Sequence, residues 1–407
     1  MNRVLLVEPS FYGVEFVKSA KSLGCEVVCV VSNQDNPKKY GYEDYYDDLI
    51  VADIRNAESI LEAIEKSSYN TFDAIIPATD YVTEITAKVS EKLQLFGNSV
   101  SATHFARNKD AARKVYAQKN VPSAKFSVVK NIDEAIRASQ KIGFPLVLKP
   151  VNTASSINVF YIDTVRTLIE RFQEMTKLKE SYMGFKVKNE YLIEEFLTGP
   201  EFSVELFLNS NSIAFAEVTA KETTKPPYFV ELMHTFPAEI RLEDKQVIVA
   251  SAFKAVQSIG FENGPAHVEV KLTETGPKII EVNGRPGGDC ITSDLILDAY
   301  GVNIFTKTVE LYLDRKITFN VTKNKCSIIK FLFSDKSGTL KEINGLKEIT
   351  SLPEFNRMKI MKKLGDTVIS PTNSDDRIGY YILTGNSASE LVEKIQDIEQ
   401  FFKIEFE

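Results

Sequence analysis

The chain has 407 residues, enough for two to four packed units around at least one large core. Its 43% hydrophobic and 26% charged residues lie near the globular average, which excludes a disordered or fibrous chain. The balance of 49 basic against 56 acidic residues, net −7, gives no reason to expect a nucleic-acid partner, whose phosphates a protein must neutralise.

No window approaches the roughly 20 apolar residues of a membrane span, so no membrane partner is expected. The short apolar run before Glu8 is too brief for a signal peptide. Cys25, Cys29, Cys290 and Cys326 form no CxxC pair, and His104, His234 and His267 lack helical ligand spacing. The expectation is a cytoplasmic protein with reduced core thiols and no conventional zinc centre.

In chain order, residues 3–7 (RVLLV) predict a buried strand and residues 12–23 a helix stopped by Gly24. A second strand at 26–31 (EVVCVV), a helix at 57–65 and a strand at 74–77 (AIIP) follow. Strand–helix alternation implies parallel pairing, hence a Rossmann-like unit over residues 1–108. The turn after the first strand reads EPSFYG rather than GxGxxG, so no dinucleotide site is expected there. A small lobe over 109–194 is read from helices at 110–119 and 132–142 and strands at 125–129, 145–149, 159–162 and 191–195. Strands at 202–208, 212–219, 267–273 and 278–282 predict a larger antiparallel lobe over 195–320. A final unit, 321–407, carries a helix at 388–401. The fold class expected is thus α/β and α+β, multidomain.

The densest chemistry is the hairpin HVEVKLTETGPKIIEVNGRPGGD, residues 267–289. Side chains alternate along a strand, so Glu269, Glu281 and Asn283 can share one face. Two carboxylates and an amide oxygen suit Mg²⁺, which also keeps water and phosphate oxygens. Arg285 continues that face, and Gly287 and Gly288 allow close backbone approach. Upstream, Lys149 ends an apolar strand before a loop containing Thr153, Ser155 and Ser156, a combination that can grip phosphate. The third piece, YLIEEFLTGPEFSVE, places Glu201 where a carboxylate can accept from an adenine amino group or a ribose hydroxyl. Each piece alone reads as ordinary polar surface; together they indicate a nucleotide–metal site.

The order and spacing of these pieces resemble the ATP-grasp superfamily from about residue 109 to residue 289. The resemblance implies that Lys109 and Lys149 hold ATP phosphates, with residues 154–158, including Ser155 and Ser156, as a mobile phosphate loop. It implies that Glu194, Glu195, Phe196 and Leu197 line the adenine site and Glu201 the ribose. Glu269, Glu281 and Asn283 would ligate magnesium, two ions with manganese able to substitute, and Arg285 with Lys149 would be catalytic. The loop departs from the family in lacking a run of glycines.

Within the superfamily, the segment KETTKPPYFVELMHTFPAEI (221–240) resembles the L-amino acid ligases that make dipeptides. That likeness implies an acyl-phosphate route with release of ADP, small-molecule amino acid substrates, and room for a homodimer. It implies that Glu231 and His234 line the amino-acid pocket, with Arg285, Gly287 and Gly288 at the reaction centre. Asp289 stands where the family has a bulky pocket residue, and a carboxylate there predicts preference for arginine or lysine. The alternative is another ATP-grasp carboxylate–amine ligase, carboxylase-like or purine-pathway-like, acting on a different carboxylate.

Overall fold

The computed structural model describes Met1–Glu407. Its first sheet has four parallel strands, Asp48–Val51, Glu26–Val31, Arg3–Val7 and Ala74–Pro77 in spatial order. The continuous apolar runs of the two central strands are buried on both faces, as a parallel sheet between helices requires. The helix expected at 12–23 begins later: a short 3₁₀ turn, Phe11–Gly13, precedes Val14–Ser22.

A four-stranded antiparallel sheet follows, Phe126–Val129, Tyr191–Glu195, Leu146–Pro150 and Phe160–Ile162 in order. Helices Ile132–Ile142 and Val165–Met175 cover it, the second of which the sequence reading did not place. The largest sheet has eight strands. In spatial order, Gly276–Asn283, Gly264–Thr273, Glu201–Asn209, Ser212–Thr223 and Glu231–Phe236 lead into Cys326–Leu332, Gly379–Gly385 and Phe355–Ile360. Helix Leu242–Ser258, also unplaced by the sequence reading, packs its Ile248, Ala252, Ala255 and Val256 against this sheet.

The sheet runs straight across the expected boundary at residue 320, because Met233 pairs with Lys330 and Phe236 with Ser327. The C-terminal strands are therefore tied to the large lobe by a backbone ladder, and Arg377 is brought beside residues near 231 and 289. The N-terminal unit is joined by packing: Phe16 meets Phe305 edge-on at 4.8 Å, within one core shared by the first sheet and helix Ile304–Tyr312.

Candidate active site

Between the small antiparallel sheet and the large one lies a cavity of about 280 Å³. Of the residues singled out in the sequence, Lys109, Lys149, Ser155, Ser156, Glu194, Glu195, Phe196, Leu197 and Glu201 line it. So do Glu231, His234, Glu269, Glu281, Asn283, Arg285, Gly288 and Asp289. Gly287 does not. A Cβ there would stand 2.6 Å from Glu205 Oε2 and 2.9 Å from His267 Nδ1, so this glycine makes room for a buried ion pair behind the cavity.

The hairpin register brings the hard-oxygen donors together. Glu269 lies opposite Glu281, and Asn283 opposite His267, two residues along on the same face. Lys221 Nζ sits 2.8 Å from Glu269, and Lys109 Nζ sits 3.0 Å from Glu281. The carboxylates are thus half-buried and already neutralised by buried ammonium groups. A divalent cation fits this donor set, since two carboxylates and an amide oxygen are hard ligands.

Lys149 is held by Glu194 at 2.6 Å, and Arg113 holds the same carboxylate at 2.6 Å. Burial pushes Glu194 up, but the two cations outweigh it and hold its pKa at about 2. Lys149 moves down, because burial and the nearby Arg113 outweigh the pull of Glu194. One carboxylate between two buried cations leaves a surplus of positive charge facing the cavity, which an anion would neutralise. The Glu194 side chain is therefore occupied with Lys149 and Arg113. Its neighbour Glu195 is also committed, accepting from Lys278 Nζ at 2.8 Å and the Lys125 amide at 3.1 Å. What these two leave for a flat ring is the apolar slot of Val147, Val159, Phe196, Leu197 and Phe229, with Phe196 edge-on to Tyr161 at 5.1 Å.

The loop expected to hold phosphate lacks glycine but still takes left-handed backbone. Ser155, Ser156 and Asn158 take φ of 57°, 54° and 57°, the left-handed region that non-glycine residues enter only under local constraint. Lys109 donates to the Thr153 carbonyl at 2.7 Å, fixing the loop's first half against the helix Lys109–Gln118.

At the far end, Arg285 is bracketed by Asp80 at 3.7 Å and the Tyr12 ring at 5.8 Å, both from the N-terminal unit. Its Nε, the atom facing Asp80, is buried without a hydrogen-bond partner. Such an orphaned donor costs roughly 1–3 kcal/mol unless a ligand accepts from it. Beyond lies a cluster not foreseen in the sequence. Arg377 places Nη1 2.7 Å and Nη2 2.8 Å from the two oxygens of Asp289, and Nη2 2.9 Å from Glu231. The charge expected to select a cationic side chain is thus already paired. His234, fully buried, points Nε2 at Asp289 from 3.5 Å. Glu231, His234 and Asp289 have metal-like spacing, but the guanidinium between the two carboxylates takes the place of a cation.

Among the cavity-lining or adjoining residues not singled out in the sequence, four charged or titratable ones shape the site. Arg113 is one helical turn from Lys109, a spacing that could have been read. Lys221, which also approaches Glu231 at 2.9 Å and Glu201 at 3.5 Å, lies in a strand that continues to Thr223 rather than ending at 219. His267 bonds Glu205 at 2.8 Å; burial would lower its pKa, but Glu205 raises it to about 9. Arg377 carried no local signal.

The ATP-grasp domain family matches residues 142–294, so the chain carries an ATP-grasp domain. Residues 330–407 match the L-amino acid ligase C-terminal domain 2, and the chain carries that domain as well. The alanine–anticapsin ligase of Bacillus subtilis (strain 168) is 29% identical over 246 residues, 57% of this chain and 52% of the ligase. The chain thus spans about half the length of that relative. An L-arginine-specific L-amino acid ligase of Bacillus subtilis is 21% identical over 326 residues, 78% of this chain and 76% of the relative. The crystal structure of an L-amino acid ligase from Bacillus licheniformis superposes with TM-score 0.84 at 20% identity, covering 100% of this chain and 99% of that one. The chain has that fold.

Proposed function

We propose that the protein is an ATP-dependent carboxylate–amine ligase that joins two L-amino acids into a dipeptide, releasing ADP and phosphate. The observation that carries this reading is the continuity of one cavity. Its cation-rich end (Lys109, Arg113, Lys149) runs past Glu269, Glu281 and Asn283 to Arg285 and then to Glu231, His234 and Asp289. A triphosphate at the first end and a small zwitterion at the other would meet at Arg285. The C-terminal domain match and the named relatives support the choice of amino acids as substrates.

In this reading the substrate carboxylate attacks the γ-phosphorus of ATP, giving an acyl phosphate and ADP. The second amino acid's amine then attacks the acyl carbon, and phosphate leaves. Phosphorylation is needed because a free carboxylate is a poor electrophile. Lys109 and Lys149 offset phosphate charge, and Arg285 presents its planar fork to the acyl phosphate and the developing oxyanion. Glu231 accepts from the α-ammonium of the activated amino acid. Magnesium held by Glu269, Glu281 and Asn283 would supply further charge neutralisation at the phosphates. Positioning and electrostatics supply most of the rate, and closure of the 151–158 loop keeps water from the acyl phosphate.

The test is ADP release from ATP and Mg²⁺ over a matrix of amino-acid pairs, with the products identified by mass. ADP formation that requires amino acids and yields a dipeptide supports the proposal. ADP formation driven by bicarbonate or a non-amino-acid carboxylate would replace it with the alternative ligase.

A further inference from the structure

Arg377 enters the site from a part of the chain far from every motif in it. It follows the turn Ser374–Asp376 in the C-terminal domain, and the eight-stranded sheet brings it against the amino-acid pocket. Its guanidinium carbon lies 3.6 Å from the centroid of the Phe331 ring, a cation–π contact that helps hold the group in place. It meets Asp289 with two hydrogen bonds, 2.7 and 2.8 Å, the bidentate geometry that arginine makes best. The same Nη2 reaches Glu231 at 2.9 Å. Arg377 itself is only 6% exposed and stands behind the two carboxylates, while Asp289 and Glu231 face the cavity.

We propose that Arg377 determines the side-chain specificity of this pocket: by cancelling the charge of Asp289, it makes the pocket take a neutral amino acid in preference to a cationic one. The inference rests on the reading that the pocket holds the activated amino acid. If Glu231 receives the α-ammonium, Asp289 is the carboxylate left beside His234 for a side chain to meet. Arg377 engages both of its oxygens in a bidentate pair, whereas it gives Glu231 a single hydrogen bond. A lysine or arginine side chain arriving there would bring a second cation beside Arg377 and meet a carboxylate whose charge is already paired, so its desolvation would be poorly compensated. A neutral side chain meets a pocket wall that is polar but balanced. Arg377 is on this account a positioning and charge-setting residue that does not touch the reacting atoms.

The experiment measures amino-acid-dependent ADP formation by the full-length enzyme with alanine, leucine, lysine and arginine as the varied amino acid. The reported quantity is the ratio of kcat/KM for cationic over neutral substrates. Wild type is expected to favour the neutral ones at least tenfold. Arg377→Met, which frees the Asp289 charge, should move the ratio toward lysine and arginine by at least tenfold. Asp289→Asn, which leaves Arg377 with Glu231 as its one carboxylate partner, should move it the opposite way. The double variant Asp289→Asn/Arg377→Met removes both charges and should return the ratio to within a few-fold of wild type, even if Arg377→Met alone folds poorly. Shifts of opposite sign, followed by restoration, are not produced by a merely structural role. A wild type that activates arginine as well as leucine overturns the inference, and so does a ratio unmoved across the three variants. Absence of any amino-acid-dependent ADP formation in wild type overturns the proposed function itself, which is a separate result.

Discussion

Replacing Glu194 by glutamine removes the one negative charge between two buried cations while keeping the side chain's shape. Glu194 is 4% exposed, with Arg113 and Lys149 each 2.6 Å away. Its pKa is held at about 2 against an ordinary 4.5, and at about 1.4 kcal/mol per pH unit this amounts to about 3 kcal/mol. Breaking a buried pair by removing one partner costs about 3–5 kcal/mol, the same scale. Because the folded pKa is depressed, this stabilisation is present above about pH 4.5 and lost as pH falls toward 2. Urea unfolding of the nucleotide-free protein should therefore show Glu194→Gln less stable by about 3 kcal/mol at pH 7, with the gap narrowing below pH 4.5. Added MgATP should recover part of that loss, because phosphate oxygens give the freed lysine a new partner and binding stabilises only the folded state. Equal midpoints for the two proteins at pH 7 would refute the reasoning, as would a deficit independent of pH.

Three further outcomes are expected. Glu281→Ala should leave the protein folded, by circular dichroism, and lower ADP formation by more than about a hundredfold, the scale of a lost electrostatic stabiliser. Gly287→Ala drives a methyl group into the Glu205–His267 pair, whose atoms lie 2.6 and 2.9 Å from it, and should cost about 1–3 kcal/mol in urea unfolding along with activity. His267 has a pKa raised from 6.5 to about 9, so its contribution is complete below pH 6.5 and is lost as pH rises through 9. Wild type should be more stable than His267→Asn by about 3 kcal/mol at pH 6, measured without magnesium, and the gap should close by pH 10.

What the sequence revealed about the site followed from local periodicity. The two-residue alternation of 267–283 is enough to put Glu269, Glu281 and Asn283 on one face, and the hairpin register does so. Lys149 at the end of an apolar strand, before small hydroxyl residues, likewise stands at the cavity. Residues whose role depends on long-range pairing left no such trace. Arg377 reaches Asp289 across 88 positions, so the partner of that carboxylate leaves no trace in the local sequence. Lys221 lies two residues beyond the expected strand 212–219, in the part of Ser212–Thr223 that the sequence does not mark as strand. Helices Val165–Met175 and Leu242–Ser258 were missed although both have apolar residues at helical spacing. Pairing across the expected boundary at 320, between Met233 and Lys330, is likewise long-range and has no local sign.

The central claim, that a substrate carboxylate is activated by phosphorylation and then taken by an amine, is tested most directly with ¹⁸O. An amino acid labelled in both carboxylate oxygens is incubated with the enzyme, ATP, Mg²⁺ and a second amino acid, and phosphate and dipeptide are analysed by mass spectrometry. The account predicts one ¹⁸O in each phosphate released, one retained in each peptide bond, and ADP equal to dipeptide. Unlabelled phosphate, or label appearing in AMP instead, would contradict it.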